Sequence, residues 1–351
     1  MSTQAALILE NLIASVLLAG LIFGAYYLLK HPFWGSRIKR GFSTKLAKFG
    51  LLLAVLFFGC AWMDSISWRD NVSEDDIAGL HAREARSLLD RAFSVCIGMK
   101  EFEYKERAHS APLAKTEFYS PEVKLKHKHL LGTDIAGNDT LYVILKGIRP
   151  AVIIGTIPLI ITLPLAILFG ILAGYHGGKL DEAVVYIYTV LSSIPSLLLL
   201  IVMISALGKS MFYICIALGI TSWVALCRLI RAETFKLREL EYIQAAKCLG
   251  VPTGKIIMKH ILPNLTHIVL ISSILTFTVL VLSESILAYL GIGLPESWGT
   301  MISSAKSEIA QDPVVWWNLL FASIALFLLV LSVNIVGDSL RDALDPRTNA
   351  D

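Results

Sequence analysis

A lysine preceded by two closely spaced glycines is the first candidate for chemistry in this sequence. Residues 250–255 read Gly-Val-Pro-Thr-Gly-Lys, which approaches the loop that cradles nucleotide phosphates. One residue too few separates the glycines, Ile256 stands where Ser or Thr would meet the metal, and no strand pattern precedes the loop. We therefore predict no nucleotide site in this chain, and the sequence offers no other nucleotide or nucleophile motif.

Metal binding is the second candidate chemistry. The stretch His129–Asp139 offers oxygen ligands from Asp134 and Asp139, but the alternating ligand positions and final Glu of a calcium loop are missing. Aspartate is also a good helix cap, and Gly132 and Gly137 allow left-handed backbone. We favour capping over metal here. The five cysteines are scattered without a CxxC pair, so they favour neither a metal site nor a disulfide framework.

The elements that would position these residues are long apolar helices. Apolar residues make up 55% of the chain, and a helix needs about 20 of them in sequence to cross a bilayer. Continuous runs exclude an alternating barrel pattern and predict an all-α polytopic membrane protein. Glu10 interrupts the first run, which is either an extra spanning helix or a helix at the interface. The predicted spans are Ala5–Leu29, Phe49–Trp68, Val152–Gly174, Ala183–Leu207, Met211–Leu229, Ile268–Leu290 and Trp316–Val336.

Charge sets the expected orientation of these spans. Segments 30–48 and 228–259 are rich in Lys and Arg, whereas 295–312 is acidic. The positive-inside rule places the first two in the cytoplasm and the third outside, so seven spans leave the N-terminus outside and the C-terminus inside. The slight net charge of +3 gives no indication of nucleic-acid binding. Three tryptophans are expected in the outer interfacial belt: Trp298, Trp316 and Trp317.

The polar stretch 69–128 is expected outside the membrane. Ser73–Asp76 resembles a capping box, and apolar residues follow at helical spacing from Ile77 to Ala92. A small helical subdomain is predicted. Whether it binds a partner or only packs on neighbouring loops stays open.

Glycine and proline predict two local breaks. Gly177 and Gly178 are expected to end one helix, with Asp181 in the first turn of the next, where the helix dipole favours acids. Pro195 is expected to kink the following span, with neighbouring serines satisfying the freed backbone groups.

Residues 241–264 predict a sharp corner. A helix is expected from Arg228 to Leu249, with its charges, including Arg231, in solvent. Gly250 suits the left-handed end of a helix, Pro252 the start of another, and that second helix is expected to end at Pro263. Small residues beside the corner would let another protein approach closely.

Four stretches together resemble one family. They are Gln244-Ala-Ala with Gly250 and Leu262-Pro263, the run His129–Asp139, Ser283–Ile302 and Gly337–Arg347. In this order they resemble the second, C-type permease of dipeptide, oligopeptide and nickel ABC importers. The chain departs from the family's usual residues at Gln244 (Glu), His260 (Ile), Asn138 (Arg) and Leu130 (Pro).

The resemblance implies a type I ABC importer transmembrane domain of five to six core helices, with an extra N-terminal helix and a helical extracytoplasmic insertion. Such a subunit is not an enzyme and holds no cofactor: ATP and Mg would be bound by two cytoplasmic ATPase subunits. The other implied partners are a homologous second permease, a substrate-binding protein outside, a peptide substrate and membrane lipid. Nickel or another small solute is the alternative cargo.

The resemblance also implies that the chain lies in the cell (inner) membrane and is divided into segments with different roles. The expected divisions are an extra helix and basic cytoplasmic loop 1–48, a span 49–68, the insertion 69–128, the permease core 129–347 and a tail 348–351. Within the core, segment 231–264 would couple to the ATPases. The residues that match the docking loop are Gln244, Ala245, Ala246, Gly250, Leu262 and Pro263.

Glu284 is a candidate for the translocation path. It lies toward one end of an apolar run, where a lipid-facing carboxylate costs about 2.5–3.5 kcal/mol or more. It should therefore face the bundle, and a structural hydrogen bond is favoured over contact with a peptide's ammonium group. An ion-coupled secondary transporter would show inverted repeats and ionisable residues at mid-membrane, and the sequence shows neither.

Overall fold

The structure, a computed structural model, describes residues 41–68, 86–97, 109–119, 122–125 and 128–344, and residues 11, 15, 30 and 35 singly. The predicted first span and most of its basic loop lie outside these ranges. Two two-residue strands, β1 (Ser67–Trp68) and β2 (Arg86–Ser87), pair antiparallel. The described helices are α1 Lys45–Ser65, α2 Leu88–Ile97, α3 Thr140–Thr156, α4 Leu159–His176, α5 Gly178–Ser193, α6 Ser196–Leu207, α7 Met211–Arg238, α8 Glu241–Cys248, α9 Thr253–Ile256, α10 Leu262–Tyr289, α11 Trp298–Ile309 and α12 Trp317–Leu344, with a π-helical turn at Ile257–Ile261.

Within the described ranges, five helical stretches are long and apolar enough to cross a membrane. They are α1, α3 with α4, α7, α9 with α10, and α12; the bent pair α5–α6 makes six if it is one span. All of the predicted spans after the first therefore correspond to helices. The all-α prediction is confirmed, apart from the four strand residues.

The chain packs as two compact units. One contains the described residues up to Val152 together with Pro295–Ser332, and the other contains Ile153–Leu294 together with the described residues from Val333 on. Helices α3 and α12 contribute to both.

Two tryptophans anchor the first unit from inside. Trp298 Nε1 donates to the carbonyl of Ile144, and Trp317 Nε1 donates to that of Thr133, each at 3.0 Å. Both rings are buried and face the protein interior rather than lipid, whereas Trp316 is half exposed; their place in the interfacial belt stays a prediction. Each indole N–H donates to a carbonyl inside the unit, so it is not available to hydrogen-bond at a membrane interface.

Local capping organises the start of α3. Asp139 Oδ1 accepts the backbone N–H of Leu141 at 2.8 Å, and Asp134 Oδ1 accepts the backbone N–H two residues ahead of it at 2.9 Å. Gly132 and Gly137 have φ of 82° and 76°. The capping prediction is confirmed, because both carboxylates are engaged by backbone donors.

The predicted helix 77–92 in the insertion is interrupted by a strand at residues 86–87 in the structure. Residues 77–85 lie outside the described ranges, and β2 occupies Arg86–Ser87, so α2 starts at Leu88. The change of structure follows from β2 pairing with β1, a contact between residues about twenty apart that local helical spacing does not register.

The described parts of the insertion are fastened to the first unit. Lys146 Nζ of α3 lies 2.6 Å from carboxylate oxygens of both Asp64 and Asp90, which come from α1 and α2. Farther along, Ser110 and Thr133 exchange hydrogen bonds, including Thr133 N–H to the Ser110 carbonyl at 3.0 Å. These buried links make the described parts of the insertion a portion of the unit rather than a freely solvated loop.

Helices α4 and α7 form the closest pair in the second unit. A Cβ atom added at Gly219 would lie 2.9 Å from Ile161 Cβ, and one added at Gly174 would lie 2.6 Å from Thr234 Cβ. The later residue of α4 contacts the later residue of α7, so the two helices run parallel. Gly170 and Gly174 have the G-x-x-x-G spacing that lets helix backbones approach closely in membranes.

Pro195 breaks the segment between these helices. The axes of α5 and α6 differ by 85°, so the predicted kink is confirmed. Ser192 Oγ donates to the Tyr188 carbonyl at 2.8 Å and Ser193 Oγ donates to the Val190 carbonyl at 2.7 Å. Val190 lies in the last turn of α5, so Ser193 bonds a carbonyl at the break as expected, whereas Ser192 bonds a carbonyl within the helix.

The bent pair α5–α6 carries the chain from one end of α7 to the other. Gly177 and Gly178, at φ of 68° and 55°, break the helix at His176 as predicted. The C-terminal end of α4 lies beside Thr234 of α7. The chain must next reach Met211, the first residue of α7, which is about 35 Å away along that helix. The pair is therefore a broken span rather than a loop that returns to its starting side. Later in the unit, α10 and α12 run antiparallel, because Ile274 meets Gly337 and Thr278 meets Asn334.

Candidate docking corner at residues 239–264

The corner begins where α7 ends. We expected one helix from Arg228 to Leu249, and this was wrong: α7 stops at Arg238 and α8 starts at Glu241. The side-chain amide of Gln244 donates to the Arg238 carbonyl at 2.8 Å, replacing a helical partner, and Arg238 Nη1 donates to the Gly174 carbonyl at 3.1 Å. One local and one tertiary bond hold the end of α7, in a stretch that has no glycine or proline.

A Schellman motif closes α8. The N–H of Val251 donates to the Ala246 carbonyl at 3.1 Å, and the N–H of Gly250 donates to the Lys247 carbonyl at 3.0 Å. Gly250 has φ of 75°, as predicted, and a Cβ atom added to it would meet nothing within 4 Å. The corner thus depends on a left-handed residue that faces open space.

The second helix does not end at Pro263 as expected. The N–H of Leu262 donates to the Ile257 carbonyl, five residues back, and the chain continues through this π-helical turn into α10. Proline lacks an N–H and clashes with the carbonyl four residues before it, so a widened turn immediately ahead of Pro263 accommodates it. The element directly before residues 250–255 is α8, a helix rather than a strand.

The corner exposes apolar side chains on a buried base. Leu249 is 83% exposed, and Met258 and Tyr242 are also in solvent, whereas Ile243 and Ile256 are buried in the core of the second unit. An exposed apolar tip above a packed base is the arrangement expected of a protein-docking element.

The six predicted docking residues come together at this corner. Gln244, Ala245, Gly250 and Pro263 are exposed, while Ala246 and Leu262 are half-buried against the core. The fold brings the ends of the segment side by side: Asn264 Nδ2 donates to Tyr242 Oη at 3.3 Å, and the Tyr242 and His260 rings are 6.1 Å apart. Sequence reasoning missed Tyr242 and Met258. No sequence signal marked them, because their exposure follows from the fold.

Arg231 was expected in solvent, and this was wrong. It forms a bidentate ion pair with Asp181 in the first turn of α5, in which Arg231 Nη2 lies 2.6 Å from Asp181 Oδ2. The Arg231 side chain is 26% exposed and that of Asp181 is 16% exposed. The pair joins the start of α5 to the same end of α7 that leads into the corner, and the sequence separation of fifty residues hid it.

Glu284 is remote from the corner. It lies in α10, twenty residues beyond Asn264 or about 30 Å along the helix, and it is 2% exposed. The carboxylate is therefore inside the protein rather than on a lipid-facing surface, as the cost of exposing it to lipid required.

Comparison with known proteins places this geometry in a family. Residues 166–350 match the family described as "Binding-protein-dependent transport system inner membrane component". The oligopeptide transport system permease protein OppC of Bacillus subtilis is 35% identical over 222 residues, covering 62% of this chain and 72% of that protein. The dipeptide permease DppC of Alkalihalophilus pseudofirmus is 35% identical over 247 residues, with 68% and 80% covered. The glutathione permease GsiD of Pectobacterium atrosepticum is 34% identical over 223 residues, with 62% and 73% covered.

Among solved structures, an inward-facing MetNI methionine ABC transporter chain is similar with a TM-score of 0.48 and 18% identity, covering 59% of this chain and 98% of that chain. The family match covers more than half of the 351 residues, and the described helices include at least five candidate spans. The chain belongs to the family of binding-protein-dependent transport system inner membrane components, as a multi-pass membrane permease.

Proposed function

We propose that this chain forms half of the transmembrane pathway of an ABC importer that takes up peptides. The relatives named above are permeases for oligopeptides, dipeptides and glutathione, which supports peptide as the cargo. Nickel or another small solute carried by the same machinery has no such support among them. The second half of the pathway would come from a homologous permease.

The single observation that carries the proposal is the exposed corner on a rigid base. Leu249 and Gly250 protrude into solvent, and Gln244 and Arg238 join α8 to the ends of α7 and α4. A soluble partner that moves this corner would therefore move the close-packed pair α4–α7. We propose that the partner is a cytoplasmic ATPase, with one ATPase for each permease, so that ATP and Mg are bound outside this chain.

The docking residues of the proposed interface are Gln244, Ala245, Ala246, Gly250, Leu262 and Pro263. Their side chains are small or apolar except for Gln244, whose amide is engaged within the chain. We propose the same division of the chain as the sequence predicts: segment 231–264 in the cytoplasm, insertion 69–128 outside, and a substrate-binding protein delivering the peptide there. Glu284 remains a candidate for the path, supported only by its burial in α10.

Cys248 provides a direct test. It is an exposed thiol beside the corner, whereas Cys60 is half-buried and Cys215 and Cys227 are buried. We expect a maleimide to label Cys248 in permeabilised membranes that lack the ATPases, and assembly with the ATPases to protect it. Cys248→Ala is the control that identifies the labelled thiol. Equal labelling with and without bound ATPases would contradict docking at this corner.

Cargo is tested separately in proteoliposomes that contain the whole complex. ATP-dependent accumulation of labelled di- and oligopeptides, with nickel as the comparison, is expected to favour peptides. Accumulation of nickel alone would leave the permease assignment intact and overturn the peptide.

A further inference from the structure

A tight turn in the insertion holds a leucine where glycine is expected. The N–H of Ala114 donates to the Ala111 carbonyl at 3.1 Å, which closes a four-residue turn with Pro112 and Leu113 at its centre. Leu113 has φ of 59°, a left-handed value. Proline in the first central position and positive φ in the second define a type II turn, whose second central residue is normally Gly or Asn.

Burial of the Leu113 side chain does not offset the free-energy cost of this left-handed conformation. A left-handed backbone is disfavoured by about tenfold for an ordinary residue, and the N–H of Leu113, bonded to the His129 carbonyl at 2.8 Å, holds it there. Yet the side chain is 64% exposed. Glycine would make the same turn and the same hydrogen bond with less strain, so the isobutyl group contributes nothing evident to folding. Strain that folding does not explain points to a function at the site.

The surroundings indicate what would cover Leu113. The N–H of Leu113 donates to the His129 carbonyl, and Leu130, the next residue, is 59% exposed. Lys115 and Lys128, each two residues from one of these leucines, are also exposed. The surface is thus an apolar pair with basic neighbours, which fits a protein surface that has an apolar centre and acidic rim.

The base beneath the pair is rigid. Ser110 and Thr133 exchange hydrogen bonds on the strand-like segments that lead to the two leucines, and His129 Nδ1 is 2.7 Å from Asp139 Oδ2 in a buried pair. A fixed backbone lowers the ordering cost of binding a shaped partner, whereas a fluid lipid surface requires no such fixed geometry. These contacts therefore favour a protein over the membrane as the occupant.

We propose that Leu113 and Leu130 form a docking patch for the substrate-binding protein that delivers peptide to this permease. The inference rests on the proposed function, which places the insertion outside the membrane and supplies this partner. The patch fixes where on the permease the partner sits, using a segment of the insertion rather than the membrane core.

The affinity test uses the whole complex, with its partner permease and ATPases, in phosphatidylcholine nanodiscs. Fluorescently labelled, peptide-loaded substrate-binding protein of the same transport system is titrated against it. Leu113→Asn keeps a residue that tolerates left-handed backbone but removes the apolar group, and Leu130→Asn removes the second. Each is expected to weaken binding by about tenfold, the effect of exposing one buried leucine. Val95→Asn, at an exposed apolar residue of α2, is the matched control and should bind as wild type.

A second variant separates docking from folding. Leu113→Gly removes the strain and the side chain together, so its Tm should equal or exceed that of wild type while binding still falls about tenfold. A merely structural leucine would instead lower Tm on replacement.

Three outcomes decide between the explanations. Wild-type affinity in the Leu113→Asn, Leu130→Asn double variant overturns the docking patch, as does quenching of a fluorophore on Leu113→Cys by lipid-borne nitroxide, which would show that the membrane covers the patch. If the wild-type complex itself shows no ATP hydrolysis stimulated by the binding protein, the proposed function fails rather than the location of the patch.

Discussion

Replacing Gly250 tests the docking corner at its most constrained position. The residue has φ of 75°, and an added Cβ would meet nothing within 4 Å of its own chain. A substitution therefore introduces backbone strain without a steric clash inside the subunit. For alanine the strain is about 1 kcal/mol, and for valine, which is β-branched, it is about 2 kcal/mol. Asparagine tolerates the left-handed region and should cost less than alanine.

The strain acts on the direction of α8 rather than on the whole fold. Because about 1.4 kcal/mol corresponds to a factor of ten, Gly250→Val should lower the equilibrium constant that favours the native corner by about thirtyfold, and Gly250→Ala by about fivefold. Membrane insertion depends on the apolar helices and should be unchanged. Gly250→Val is therefore expected to assemble but to lose coupling between ATP hydrolysis and uptake.

The assay measures peptide uptake per ATP hydrolysed in proteoliposomes that contain the assembled complex. Expected coupling falls in the order Gly, Asn, Ala, Val at position 250. Gly254→Val is the matched control, because Gly254 lies in the next helix, has no positive φ and also has open space around an added Cβ. Normal coupling in Gly250→Val, or an equal loss in Gly254→Val, would refute the reasoning.

Two further changes probe how the corner is held. Gly174→Val places side-chain atoms against α7, where even a Cβ would be 2.7 Å from the Arg231 carbonyl, and should lower stability by about 1–3 kcal/mol, measured as a lower Tm in detergent. Gly59→Val in α1, where an added Cβ meets nothing within 4 Å, is its control, and an equal loss there would contradict the close packing. Asp181→Ala leaves Arg231 without its bidentate partner and should cost about 1–3 kcal/mol, between the values for exposed and buried pairs. Glu182→Ala, one residue on and exposed, should leave the Tm within error, and a matching decrease would attribute the effect to the helix dipole instead.

Local signals predicted the parts of the candidate site that depend on neighbouring residues. Gly250 ends α8 in left-handed backbone, Gly177 and Gly178 break the chain after α4, and Asp139 caps α3. Each prediction rests on interactions within about six residues. The G-x-x-x-G spacing at Gly170 and Gly174 was a further local signal, and it would have indicated the close contact with α7.

The errors have local as well as long-range causes. α7 stops at Arg238 because Gln244 and the end of α4 bond its last turn, and no residue there breaks helices by itself. Arg231 pairs with Asp181, which lies fifty residues earlier in the chain, instead of facing solvent. Pro263 did not end a helix, because a π-helical turn placed before it removed the clash that a proline normally causes.

The amino-acid order alone determined that this chain crosses a membrane several times and that a glycine corner interrupts its polar segment, because hydropathy and backbone freedom are properties of each residue and its neighbours. Only the tertiary structure decided which surfaces those elements present. Burial took Trp298 and Trp317 inward, and the hydrogen bond from the Leu113 N–H to the His129 carbonyl holds Leu113 in an exposed turn. Such outcomes depend on which distant groups meet, and no local pattern carries that information.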